Sequence, residues 1–211
     1  MRHVVRIFLK ITGFLSTLIF FKPKVIYVDK KLQKRHIMGS GLIVSNHKGP
    51  LDFILMMLLF PFRSLHCVVG EQIFKKSPWF VNWLLKMFGA IRADRDTSNP
   101  QFIVESIEIL KRGGVVEIYP EGRFPPKNSK MLPFALSTVY IALQTGVKII
   151  PVYHAGRYGL FRREKVVIGT PLELSKYSNE INPSVETLKE LTVILENNIA
   201  SLEEMCKRNE L

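Results

Sequence analysis

Between residues 40 and 170 the chain alternates short, branched apolar runs with longer stretches whose apolar positions recur every three or four residues. The short runs at 42–44, 65–69, 115–119, 147–152 and 166–169 are flanked by glycine, proline or polar residues and read as buried strands. A weaker alternation at 25–28 suits an edge strand. The run 53–60 is long enough to open a helix. Ser77-Pro78 starts a second helix that stops near Gly89, and Asn99-Pro100 a third that stops at Gly113-Gly114. A fourth spans 131–144 and closes at Gly146; a last one follows Asn182-Pro183, with Val185, Leu188, Leu191, Leu195, Ile199 and Leu202 on one face. This alternation predicts an α/β fold: a mixed, mostly parallel twisted sheet flanked by helices. Trp79, Phe80, Trp83, Leu84 and Phe88 crowd the second helix and are assigned to the core, as is His66 in its strand.

The N-terminus breaks this pattern. Residues 3–21 are mostly apolar, and Arg2, Arg6, Lys10, Gly13 and Thr17 make one narrow stripe on a helix. Its charge-free part, 11–21, is short of the about 20 residues needed to cross a bilayer. No small-x-small cleavage site follows, which argues against a signal peptide. A helix lying in one leaflet is the reading, followed by a basic collar of Lys22, Lys24, Lys30, Lys31, Lys34 and Arg35. The expected organisation is an anchoring segment over 1–35 and an α/β domain over 36–211.

Composition supports an anionic partner. The 211 residues carry a net charge of +12, yet 47% are hydrophobic and the mean hydropathy is +0.13. Cys67 and Cys206 have no paired spacing, so neither a disulfide framework nor a zinc site is expected. A nucleic-acid module would explain the charge, but no recognisable RNA or DNA motif is present, and a lipid surface fits the N-terminus better. A basic non-catalytic membrane protein is the other rival.

Candidate chemistry begins at Asn46-His47-Lys48-Gly49-Pro50-Leu51-Asp52, a turn between a strand and a helix. Asp52 falls at a helix start, as an N-cap, and the turn can fold the His47 ring against its carboxylate. An imidazole held by a carboxylate is a general base of fixed tautomer. Gly89 to Asp96 reads as a polar loop whose Arg92 and Arg95 suit a phosphate. Pro120-Glu121-Gly122-Arg123 lies at the carboxyl end of a strand, the edge at which open α/β sheets bind ligands. There Gly122 allows close backbone approach, and Arg123 offers another anion contact.

In order and spacing these segments resemble the membrane-associated glycerolipid acyltransferases, specifically the 1-acylglycerol-3-phosphate acyltransferases. Asn46, His47 and Asp52 match the Asn-His-x-x-x-x-Asp block; Gly89, Asp94 and Arg95 match the second block. Pro120, Glu121 and Gly122 match Pro-Glu-Gly-Thr-Arg, and Ile149, Ile150, Pro151 and Val152 match the fourth. Gly49 stands where the family often has serine, and Arg123 and Phe124 replace its Thr-Arg. The resemblance implies transfer of a fatty acyl group from acyl-CoA or acyl-carrier protein to the sn-2 hydroxyl of 1-acylglycerol-3-phosphate (lysophosphatidic acid). The product would be phosphatidic acid; another lysolipid or a glycerol phosphate is the alternative acceptor. It implies His47 as base with Asp52 holding it, and Arg95, Arg123 and Arg92 on the phosphate. Glu121 and Gly122 would orient the glycerol, with Asn46, Gly89 and Pro151 completing the substrate-binding set. Backbone amides near Gly49 would serve as oxyanion donors. Neither a cofactor nor a metal is expected, and the enzyme would sit peripherally on the cytoplasmic face of an anionic membrane, without nucleic acid.

Overall fold

A computed structural model describes residues 18–94, 100–126, 131–159, 162–177 and 182–208. In chain order the elements are β1 (Lys24–Tyr27), β2 (Gly41–Ser45), α1 (Asp52–Leu59), β3 (Leu65–Gly70), α2 (Glu71–Lys76), α3 (Trp79–Phe88) and β4 (Ile91–Ala93). They continue with α4 (Gln101–Lys111), β5 (Val115–Ile118), α5 (Leu136–Thr145), β6 (Ile149–His154), β7 (Lys165–Ile168) and α6 (Val185–Arg208). The seven strands form one sheet in the order β1-β7-β6-β2-β5-β3-β4. Every neighbouring pair is parallel except β6 with β7.

Period-two alternation divides the core. Leu42, Val44, Val116 and Ile118 point to one face, where α5 and α6 supply Val139, Ile141, Leu195 and Ile199. Ile43, Val115, Ile150 and Val166 point to the other, against Leu55, Met56 and Leu59 of α1 and against Phe21. With helices on both faces, the central strands are buried throughout, which is why they read as unbroken apolar runs.

Four features depart from the sequence reading. Residues 91–93 are a strand instead of a loop: Ile91 and Ala93 face inward and only Arg92 faces out, a pattern too short to register amid its polar flanks. The short helix α2 follows β3 directly and buries no residue, so it has no apolar periodicity to read. Residues 131–135 are not helical. Glu121 Oε2 accepts from Leu132 N at 2.8 Å, Glu196 Oε1 from Phe134 N at 2.6 Å, and Pro120 O from Ala135 N at 2.9 Å. Tertiary acceptors therefore take the amides that helix bonds would use, and Pro133 has none to give. Finally, the aromatic residues at the start of α3 are not core. Trp79 is 81% exposed, Phe80 50% and Trp83 49%, whereas Leu85 and Met87 are the buried positions.

The N-terminal expectation divides. Residues 1–17 lie outside those described; residues 18–21 form a helical turn. Among the described residues no helix is long and apolar enough to cross a membrane. From Phe21 onward the chain is integrated into the α/β body. Phe21 is buried, β1 is an edge strand, and Arg35 turns inward to donate to the Leu58 and Leu59 carbonyls at the end of α1. His66 is half-buried, with Nδ1 3.0 Å from Gly89 O.

Candidate active site

Strand β2 ends at Ser45, and the six residues that follow cross the carboxyl edge of the sheet before α1 begins. His47 Nδ1 lies 2.7 Å from Asp52 Oδ2; the carboxylate is fully buried and the imidazole 18% exposed. Asp52 is the first residue of α1 and not its N-cap, a position Leu51 holds without a side-chain bond. Its carboxylate turns back on the loop instead: Oδ2 also accepts from Lys48 N at 2.7 Å and Gly49 N at 2.9 Å. Those two amides are thereby committed and cannot be the oxyanion donors expected from the sequence. Oδ1 accepts from the Tyr158 hydroxyl at 2.5 Å. Burial raises the Asp52 pKa, but the His47 bond, the nearby His154, Tyr158 and the Gly49 amide outweigh it and leave the group below its usual value. The ring of His47 is therefore held from Nδ1 by an ionised carboxylate, with Nε2 left as the second nitrogen for chemistry.

Aromatic rings fix the imidazole plane. Tyr119 stacks on it with centroids 4.3 Å apart and planes at 17°, and Phe124 lies over it at 4.2 Å. Phe124 thus covers the base at the position where the resemblance expected arginine. Beneath, the Tyr119 hydroxyl donates to Glu117. Burial pushes the Glu117 carboxyl up to about 8, so it is mostly protonated at neutral pH. Glu117 and Cys67 line an apolar cleft with Phe53, Met57, Leu85 and Phe88.

The remaining expected residues divide into frame and rim. Glu121 Oε1 accepts from His47 N at 2.7 Å while Oε2 holds Leu132 N, so this carboxylate braces the loop that carries the base. Asn46 spends both ends of its amide on the His154 backbone, Nδ2 to O at 3.0 Å and Oδ1 from N at 2.9 Å. Pro151 is buried in β6 beside Val44. As arranged, Asn46 and Pro151 belong to the frame, with no group presented to a substrate. Gly89 ends α3 in the left-handed conformation, φ 75°, and Arg92 is ion-paired with Glu71. Gly122 has φ 71° and forms the turn after Glu121, and Arg123 is exposed at the rim. Arg95 lies outside the described residues.

Three site residues went unread in the sequence. His154 is wholly buried, its Nε2 3.0 Å from Asn46 O and 3.6 Å from Asp52 Oδ2, its Nδ1 3.5 Å from Glu164. Tyr158 reaches Asp52 from the loop between β6 and β7, where Phe21 packs on its ring at 5.3 Å. Phe124 is the third. None shares a local pattern with His47; only the crossing of the chain brings them there. Among the described residues no group of three or more His, Cys, Asp or Glu side chains could hold a metal ion.

The sheet and its flanking helices define an α/β fold of the glycerolipid acyltransferase type. The chain matches the crystal structure of the 1-acyl-sn-glycerophosphate (LPA) acyltransferase PlsC from Thermotoga maritima with a TM-score of 0.62 and 24% identity, covering 88% of this chain and 73% of that one. The Acyltransferase family model matches residues 24–155, and the chain belongs to that family. A 1-acyl-sn-glycerol-3-phosphate acyltransferase of Bacillus subtilis is 28% identical over 171 residues, 78% of this chain and 82% of the relative. The protein of the same name from Cocos nucifera is 30% identical over 161 residues, 71% of this chain and 44% of the relative. The human alpha form is 31% identical over 114 residues, 53% of this chain and 39% of the relative. The chain thus spans less than half the length of the coconut and human relatives.

Proposed function

We propose that this chain transfers a fatty acyl group from an acyl thioester, acyl-CoA or acyl-carrier protein, to the sn-2 hydroxyl of 1-acylglycerol-3-phosphate, giving phosphatidic acid. The observation that carries the reading is the 2.7 Å contact between His47 Nδ1 and a fully buried Asp52 at the carboxyl edge of the sheet. The names of the relatives supply the acceptor.

In this mechanism the acceptor oxygen attacks the thioester carbonyl carbon while His47 Nε2 takes the hydroxyl proton. The carbon–sulfur bond then breaks, and the imidazolium returns the proton to the departing thiolate. His47 as a positioned base contributes about 10²–10⁴ in rate, while Asp52 fixes its tautomer and offsets the charge on the imidazolium. Arg123 and Arg95 are the cations assigned to the acceptor phosphate. Arg92 serves less well, since Glu71 already neutralises it. Each methylene of the acyl chain taken from water contributes about 0.8 kcal/mol to binding. The chain is assigned to the cytoplasmic face of an anionic membrane, where its acceptor resides.

His47→Ala tests the reading. Transfer from acyl-CoA to lysophosphatidic acid should be lost while the chain remains folded and vesicle binding is retained; a variant that still turns over removes His47 as the base.

A further inference from the structure

We infer that the outer face of α2 and α3 is a membrane-docking surface that inserts Trp79, Phe80 and Trp83 among the lipids of an anionic leaflet. The inference takes its purpose from the lipid-acceptor reading above, while its test reads docking independently of turnover.

Four large apolar side chains stand out of the surface within eleven positions: Ile73 at 42% exposure, Trp79 at 81%, Phe80 at 50% and Trp83 at 49%. Large apolar side chains exposed together on one short helical segment mark an interaction site, and tryptophan is the residue favoured where one end of a side chain is in hydrocarbon and the other in water. Lys75, Lys76 and Lys86 are exposed on the same two helices, and the single carboxylate there, Glu71, is neutralised by Arg92 and Lys75. The face is therefore apolar at its crest and cationic at its margins, on a chain of net charge +12, which complements anionic headgroups.

Its position fits the same partner. Helix α2 leaves the carboxyl end of β3, the edge at which His47 and Glu121 sit, and the exposed aromatics open α3 next to it. The last turn of α3 presents Leu85 and Phe88 to the apolar cleft beside Glu117. One helix thus has an apolar side toward the cleft and another toward solvent, an arrangement expected of a helix with lipid on its outer side. Asn82 fixes the presentation by donating to Phe74 O at 2.8 Å across the turn between the helices.

The test uses an accident of composition: Trp79 and Trp83 are the two tryptophans of the chain, so selectively excited tryptophan fluorescence reports this face alone. The full-length protein is mixed with vesicles of phosphatidylglycerol and phosphatidylcholine, some carrying brominated acyl chains. A blue shift with quenching by the brominated chains is the expected result, weaker on pure phosphatidylcholine and at high salt. Lys76→Glu with Lys86→Glu should raise the lipid needed for half-maximal quenching about tenfold or more. The same pair should leave the unfolding temperature and the turnover of detergent-dispersed lysolipid unchanged. Sedimentation with vesicles but unquenched tryptophan would overturn the inference and assign docking elsewhere, residues 1–35 being the candidate. Emission already blue and insensitive to lipid would overturn it as well, since another part of the chain must then cover the face. Absent quenching, with the charge-reversed variant failing only on a carrier-protein donor, would overturn it in favour of an acidic protein partner. Loss of lysolipid acylation by the native chain would instead sink the proposed function and leave the quenching result standing.

Discussion

The Tyr158 hydroxyl gives the sharpest test of how the dyad is held. It donates to Asp52 Oδ1 at 2.5 Å, and burial together with that carboxylate pushes its pKa well up, so the phenol stays protonated and donating across the working range. Tyr158→Phe removes this one bond while keeping the ring against Phe20 and Phe21. A hydrogen bond to a charged acceptor is worth about 1.5–3 kcal/mol. Only the part of that energy gained as the imidazolium forms, or lost through misplacing Asp52, slows turnover, so kcat falls by up to about 10- to 150-fold, at about 1.4 kcal/mol per decade, with little change in KM. Gly49 supplies the control. A Cβ added there would lie 2.6 Å from the Tyr158 hydroxyl but 3.6 Å from its Cζ, and 3.9 Å from Asp52 Oδ1. Gly49→Ser therefore clashes in the native chain, yet fits beside a phenylalanine, with its own hydroxyl within reach of the carboxylate. The tyrosine hydroxyl thus lies 2.6 Å from where a serine Cβ would sit at position 49. Steady-state acyl transfer on micellar lysophosphatidic acid, with unfolding temperatures alongside, should show both single variants slow and the Gly49→Ser/Tyr158→Phe pair faster than either. A Tyr158→Phe enzyme of native kcat, or a double variant no better than the worse single, would refute the reasoning.

Other outcomes follow from the same geometry. Glu117 is raised from 4.5 to about 8 by burial, so the folded state binds the extra proton and stability falls as pH rises from about 4.5 through 8. Glu117→Gln should flatten that slope and raise the unfolding temperature at pH 9, and an unaltered slope would locate the titration elsewhere. Arg123→Ala should raise the KM for lysophosphatidic acid more than it lowers kcat; an unchanged KM dissociates it from the phosphate. Gly156 has φ 72°, and a Cβ there would meet Lys48 Cβ at 2.6 Å. Gly156→Ala should cost at least about 1–2 kcal/mol for the left-handed backbone. For a chain of this size that is about 2–8 °C in melting temperature, and calorimetry showing no drop would mean that the loop relaxes freely.

The sequence alone was enough for six of the seven strands, most of the helices and the His47–Asp52 pair, because each is a local pattern. Strands buried on both faces are apolar without a break, as in 42–44 and 115–118, and Gly89 and Gly146 stop helices through their own left-handed conformation. His47 and Asp52 are five positions apart, within one turn of chain. What surrounds them was decided elsewhere. Asn46 meets His154 across 108 positions, Tyr158 meets Asp52 across 106, and Glu121 meets His47 across 74. No period in the sequence encodes those distances; the order β6-β2-β5 of the sheet does, by setting the ends of three separate segments side by side. Exposure was the other quantity beyond reach. The aromatic residues of α3 have the composition of a core, and only the packing of the chain, with Leu85 and Met87 turned inward, leaves Trp79, Phe80 and Trp83 facing out. Hydrophobicity is a property of a residue, whereas burial depends on what the rest of the chain places over it.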